Sequence, residues 1–567
     1  MAIDFKSTST NSSLIKSYDF SKVTSAEIAD ISSAQIKLLS ATQVAAISSD
    51  AISAIDSTAL KGLNADQMLA LIEAQIQAFD PDSQFANLGA IQVKALSSGQ
   101  MAMLTTAQVE ALTTLQARVL GANQVAGLST TQLGALETAD LQALSALAVK
   151  GFTSSQMTAL SSDQVVALTT AQLVGLSSSQ VAGIEATDLD ELSTAQVRAL
   201  SNSALAGLTT EQVAGMTTTQ VTALSALQMK ALSSTQLQAL TTDQAAVLSS
   251  AQVQSLTAAQ VSGMDTADIE QLGTAQIRAL TASAVSGLST AQIANLSTLQ
   301  VSVLKADQIK VMSTAQIAAL TSEQAGVLST SQAVGLSATQ IKAMDSEDVA
   351  ALATAVIGKL TAVQVQGLTT AQIEALTTGQ AASLGATQLA ALSSSQLAAV
   401  QTEDFKQLSS AQLVYLNPNV MGGLSTEQLS NMGTDQIAAL GALQVKQLST
   451  ANIEALSSDQ LKAMSKASLT ALSSAQVMAI TADDLSQLDS SQIQALSNMG
   501  LSGLTTEQID GLGTAQVVAL KADQLKALSS SQVVALSSAQ AAVLTSGQVA
   551  GLSPTQVAAM EDADVAA

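Results

Sequence analysis

The chain has 567 residues, with 21 Lys plus Arg against 44 Asp plus Glu and no Cys, His or Trp. Without imidazole or thiol it lacks the usual general base, the thiolate nucleophile and the soft metal ligands of zinc or haem sites. A net charge of −23 disfavours nucleic acid, which is held by clustered Lys and Arg, and the absence of any apolar run of about 18 residues argues against membrane insertion.

Residues 1–22 differ from the rest of the chain. They hold three of the eight aromatic residues, Phe5, Tyr18 and Phe20, and no apolar core of the length a cleaved signal peptide needs. They read as a leader, or as an arm packing on the next segment or on a neighbouring molecule. Residues 23–79 carry an apolar residue at every eighth position, namely Val23, Ile31, Leu39, Ile47, Ile55, Leu63, Leu71 and Phe79. Residues 80–87, within FDPDSQFAN, slip that register by one, so that Phe79 and Leu88 are nine apart. Residues 88–567 then repeat octad after octad without insertion or deletion, and all 60 positions from Leu88 to Met560 are large and apolar.

With that residue as position zero, an octad reads L-S/T-S/T-x-Q-V/I/L-x-A/G, as in LSTAQVRA from Leu192. Position five is apolar in every one of the 60 octads, and position four is Gln in 45 of them. A continuous α-helix cannot use this pattern, because eight residues at about 100° each turn the apolar stripe by about 80° per repeat. A strand is disfavoured too, since positions zero and five have opposite parity. What remains is one very short helix per octad. Ser or Thr at position one with Gln at position four spells the capping box, and the apolar pair at positions zero and five spells the hydrophobic staple. Pro81, Pro418 and Pro554 each come directly after the proposed cap, at the first helical position where a missing N–H is harmless. Of the 16 Lys and Arg beyond residue 88, 12 occupy position six, near the helix end, which complements the helix dipole. Helices this short are unstable alone. The predicted fold is therefore all-α, an elongated rod-like solenoid of stapled and capped mini-helices with two or three octads per coil.

Position four changes to Asp at Asp140, Asp188, Asp268, Asp348, Asp404, Asp484 and Asp564, several of them 80 residues apart, which marks a higher repeat of ten octads. Asp265 with Asp268, the trio Asp345, Glu347 and Asp348, and Glu561, Asp562 and Asp564 offer oxygen ligands of the kind calcium takes, without an EF-hand loop. Calcium is the one cofactor candidate, and a solvated acidic face is the plainer reading. No catalytic or cofactor-binding residue stands out, and no enzyme is expected.

The LSTAQI and LTTAQI octads beginning at Leu288 and Leu368 resemble tandem repeats of large bacterial surface and extracellular-matrix proteins, a group described as adhesins or haem-utilisation proteins. The resemblance covers roughly residues 23–567. It implies export without a cleaved N-terminal signal, through a type I system, and a place outside the cell or on its surface. A haem role finds no ligands here. The expected function is that of an extracellular structural protein, a rod subunit assembling into a filament, surface layer or biofilm-matrix fibre. Its expected partner is itself, head-to-tail or laterally, because the repeat stops at MEDADVAA without a polar capping unit. Cell-surface polysaccharide is a further candidate partner. An adhesin stalk is the alternative, and after it an intracellular scaffold or an ice-binding array.

Overall fold

The computed structural model describes residues 3–6 and 12–560. These residues form helices and turns with no strand, and the α-helices are four to six residues long, one to each octad. The chain divides into two units, residues 1–288 and 289–567. In each unit the helices stack as a solenoid.

The octad forms its helix as the cap chemistry dictates. In the octad from Leu248, Ser249 is the N-cap and its hydroxyl accepts from the Gln252 N–H, while the Gln252 side chain accepts from the Ser249 N–H. Positions zero and five, Leu248 and Val253, lie on either side of the cap and are both buried. The helix ends at position seven, where extended backbone at Leu256 leads to the next cap. The same arrangement recurs with Leu, Ile, Val, Met or Phe at the two buried positions, so these side chains line one continuous interior in each unit. Pro81, Pro418 and Pro554 all open their helices.

Successive coils pack each helix on the third one along the chain. Ala226–Ala231 lies on Ser250–Ser255, and Ala442–Lys446 lies on Lys466–Ala471. Hydrogen bonds between coils span 25 to 32 residues. A turn therefore takes just over three octads, more than the two or three expected, because each helix sits between the third and fourth helices before it. Position seven of one octad meets position two of the octad below. A Cβ on Gly207 would come within 2.3 Å of the Ser178 carbonyl oxygen, so glycine marks the places where two coils touch backbone to backbone.

The nine-residue spacing is absorbed inside one helix. Pro81–Phe85 is a π-turn in which the Phe85 and Ala86 amides reach back five residues, to the Asp80 and Pro81 carbonyls. The wider turn hides the extra residue, so Phe85 stays buried and Gln84 still reaches Ile55 in the coil below, at 2.7 Å.

The described part of the N-terminal segment packs on the first coil. Ile3, Phe5, Ile15 and Phe20 are buried, and Phe20 meets Phe5 at 6.3 Å and the edge of Tyr18 at 5.3 Å between ring centroids. Gln35 donates to the Phe5 carbonyl at 3.0 Å, and Gln43 donates to the carbonyls of Ile15 and Tyr18 at 3.0 and 3.1 Å. Residues 3–6 and 12–22 thus stand in for a preceding coil.

Candidate functional site

Position four holds the most distinctive chemistry of the molecule. Its Gln side chains are buried, Gln75 and Gln108 completely so, and each works in two directions. The Oε1 of Gln108 accepts from the Thr105 N–H of its own cap at 3.0 Å, while Nε2 donates to the carbonyls of Ile76 and Phe79 in the coil below at 2.7 and 2.8 Å. Gln172 repeats this with Thr169, Leu141 and Leu144, and Gln444 with Gly441, Leu413 and Leu416. The targets lie 28 and 31 residues back in each case. One carbonyl is in the last turn of a helix and the other is in the linker after it, both left open because a short helix cannot satisfy its own C-terminus. The amide ladder closes those ends. Sequence reasoning finds the capping half of this role and misses the ladder half. A signal is present: a capping box accepts Glu as readily as Gln, yet no octad from residue 88 onward has Glu at position four. Only an amide also offers donors.

Glu27 confirms the rule from the other side. It occupies position four of the first octad, where its carboxylate accepts from the Thr24 N–H and hydroxyl at 2.9 and 2.8 Å. The Thr24 backbone bond leads the causes that hold its carboxyl below the usual range, and the Ile3 amide contributes as well. Here the side chain faces donors rather than carbonyls.

The Asp octads interrupt the ladder. Asp140, Asp188, Asp268, Asp348 and Asp404 are buried, and Asp is too short to serve both the cap and the coil below. Asp188 and Asp348 each accept from a serine hydroxyl 26 residues earlier, Ser162 at 2.6 Å and Ser322 at 3.1 Å, and Asp484 does the same with Ser458. Burial is the main cause that raises Asp140 to about 6, with Glu137 adding to it. Burial likewise raises Asp268 to about 6, helped by Asp265. Asp348 is also raised by burial, against the bond from Ser322. Asp268 Oδ2 is buried with no hydrogen-bond partner.

The acidic groups read as calcium candidates are arranged differently from one another. Asp265 and Asp268 open one helix, with Asp265 accepting from Gln238 Nε2 at 3.4 Å. In the trio, the Asp345 N–H donates to Asp348 at 3.3 Å, and Glu347 is exposed. Glu561, Asp562, Asp564 and the final MEDADVAA stretch from 561 lie outside the described residues. Among the described residues no three acidic side chains converge as a metal-binding group.

Open concavities recur with the octad. One of about 530 Å³ is lined by Lys310, Met312, Val334 and Ser337, and another of about 540 Å³ by Lys94, Leu96, Val119 and Gln124. Both are grooves between successive helices at related octad positions, so they are features of the stack. A depression of about 530 Å³ beside Tyr18, Asp19, Lys22 and Glu27 belongs to the N-terminal segment.

Seven stretches of the chain, residues 133–170, 181–226, 261–298, 341–378, 431–466, 485–522 and 518–554, match the ALTTAQ repeat. This is a helical repeat protein. No curated protein matches it. Solved structures with some similarity include the leucine-rich repeat protein LegL7 from Legionella pneumophila, at 11% identity and a TM-score of 0.14 over 38% of this chain and 78% of that one. The pentatricopeptide repeat protein PPR10 from maize is similar at 12% identity and a TM-score of 0.14, over 95% of this chain and 87% of that one. The APUM23–GGAUUUGACGG structure is similar at 12% identity and a TM-score of 0.10, over 91% and 85%. Likenesses this slight carry no argument about this repeat protein. No described helix is long and apolar enough to cross a membrane.

Proposed function

We propose that this repeat protein is an extracellular structural protein, without catalytic activity, whose copies associate laterally into a surface layer or matrix. One observation carries the reading. Position three faces solvent, and it holds large apolar side chains in both units: Ile91, Leu115, Leu147, Leu227, Leu299 and Leu443 are 64 to 73% exposed. Elsewhere position three carries acids such as Asp163 and Glu211, so the apolar residues are local exceptions on a charged face. Exposed side chains of this size add nothing to the interior and favour association when two such faces meet. The interior itself is uniform and its polar groups serve the fold, which suits a mechanical part. Absence of Cys and the resemblance to bacterial surface repeats support a place outside the cell.

Sedimentation velocity and negative-stain imaging of the full chain test the reading. Concentration-dependent polymers that disappear when Leu147, Leu227 and Leu443 are replaced together by Glu support it. Compact monomers at all concentrations, with or without calcium, or recovery only from the cytosolic fraction of its native cells, would refute it.

A further inference from the structure

The ladder aims every position-four side chain at backbone oxygens. In the helix Thr266–Gln271 that side chain is Asp268, and its neighbours fix what it faces. Gln260 donates to the carbonyls of Met229 and Leu232, and Gln276 donates to that of Leu248, at the offsets of 31 and 28 residues. The same offsets lead from Asp268 to Leu237 and Leu240. The helix that ends there, Ser234–Gln238, also supplies the amide of Gln238 to Asp265, which brings the acidic cap beside the same helix end.

Three kinds of oxygen therefore converge with no donor among them. Asp268 is 2% exposed, and its Oδ2 has no partner. The Asp octads that find a donor take it from serine 26 residues back, whereas at Asp268 that residue is Thr242. Asp is one C–C bond shorter than Gln, so the carboxylate stops about 1.5 Å short of where the amide nitrogen stands in other octads. A ladder contact of 2.7 to 3.0 Å, as Gln260 makes, then opens to an oxygen–oxygen gap of roughly 4.3 Å. That gap is too wide for a direct hydrogen bond. It suits an ion bonded to each oxygen at about 2.3–2.6 Å.

We propose that the Asp268 octad is a cation site in which Ca²⁺ bridges the Asp268 carboxylate and the carbonyl oxygens of Leu237 and Leu240, with Asp265 and water completing the shell. Ca²⁺ accepts such a mixed and irregular set of oxygens, whereas Mg²⁺ demands a tighter octahedron and keeps its waters. The ion replaces, in positive charge, the amide hydrogens that every Gln octad supplies to the same carbonyls. With two carboxylates the affinity falls in the weak class of extracellular modules, about 10⁻⁴–10⁻³ M.

The test is calcium titration of the chelator-treated full chain at pH 7.5 by isothermal calorimetry, with melting measured in parallel. Asp268→Gln restores the ladder residue and is expected to fold, to bind one calcium fewer and to gain less thermal stability from calcium than the parent. Asp268→Asn removes the charge without reaching the carbonyls, and must lose the same site. Absence of saturable binding at millimolar calcium, or unchanged stoichiometry in either variant, would overturn the proposal.

Discussion

Gln252→Glu separates the two halves of the ladder by changing one group. The Gln252 Oε1 accepts from the Ser249 N–H and hydroxyl at 2.8 and 2.9 Å, bonds that a Glu carboxylate keeps. The Nε2 donates to the carbonyls of Val221 and Leu224 at 2.7 and 2.9 Å, and there a second carboxylate oxygen would face oxygen. The Val221 carbonyl retains the Leu224 amide at 3.2 Å, but the Leu224 carbonyl loses its ladder partner. Two lost bonds at about 1 kcal/mol each, with a further about 1–2 kcal/mol for the stranded carbonyl, give a local cost of about 2–4 kcal/mol. Long repeat arrays do not unfold as one unit, so the assay is native-state hydrogen exchange on the helices Thr218–Ala223 and Ser250–Ser255. Their amides should exchange roughly 30-fold faster or more. The added Glu, held among carbonyls, has its folded pKa raised above its unfolded value. Protonation supplies a donor, so the loss should shrink as the pH falls toward about 4.3. Exchange within about threefold of the parent, or a loss independent of pH, would refute the ladder as a source of stability.

The same geometry sets other expectations. Gly207→Val drives a side chain into the Ser178 backbone, where even a Cβ would approach to 2.3 Å; a cost of about 1–3 kcal/mol, seen as faster exchange in both coils, is expected. Asp140, raised to about 6 by burial, binds more protons folded than unfolded. It therefore contributes stability below its ordinary carboxylate range that is lost as pH rises through about 6, and Asp140→Gln should flatten that slope in melting curves between pH 5 and 7.5. Lys6→Ala removes an exposed pair with Asp30 at 3.0 Å and should shift stability by less than about 0.5 kcal/mol. Deleting Ser83 restores an eight-residue spacing and should leave the helical circular dichroism intact, with the π-turn replaced by an ordinary turn; loss of the fold would show that Pro81–Phe85 does more than absorb one residue.

Much of this architecture is legible octad by octad. The cap at Ser249, the buried pair at Leu248 and Val253, and the three helix-opening prolines all come from local chemistry that a sequence states outright. Coil size does not, because it depends on how helices about 30 residues apart settle against one another, as Gly207 does on Ser178. The second role of Gln172 is hidden for the same reason: a capping motif explains its Oε1, and nothing nearby reveals that Nε2 has distant carbonyls to serve. Leu147 and Leu227 escape notice too, since an apolar residue at an unfixed position reads as variation until its exposure is seen. The acidic octads stand out by their period, but only the ladder shows that Asp268 sits among oxygens.

Each ladder Gln finds its partners by counting back 28 and 31 residues. A counting scheme of this kind tolerates one sort of edit. Eight residues gained or lost as a whole octad leave each remaining Gln opposite an equivalent pair of carbonyls, whereas any other change misdirects every Gln over the next coil. Copy number is thus free to drift while the phase of the repeat is held, as the unbroken run from Leu88 to Met560 shows. A lineage carrying this chain can change its length by unequal recombination at little structural cost, and the one surviving change of phase, at Pro81–Phe85, is the one a wider helical turn could swallow.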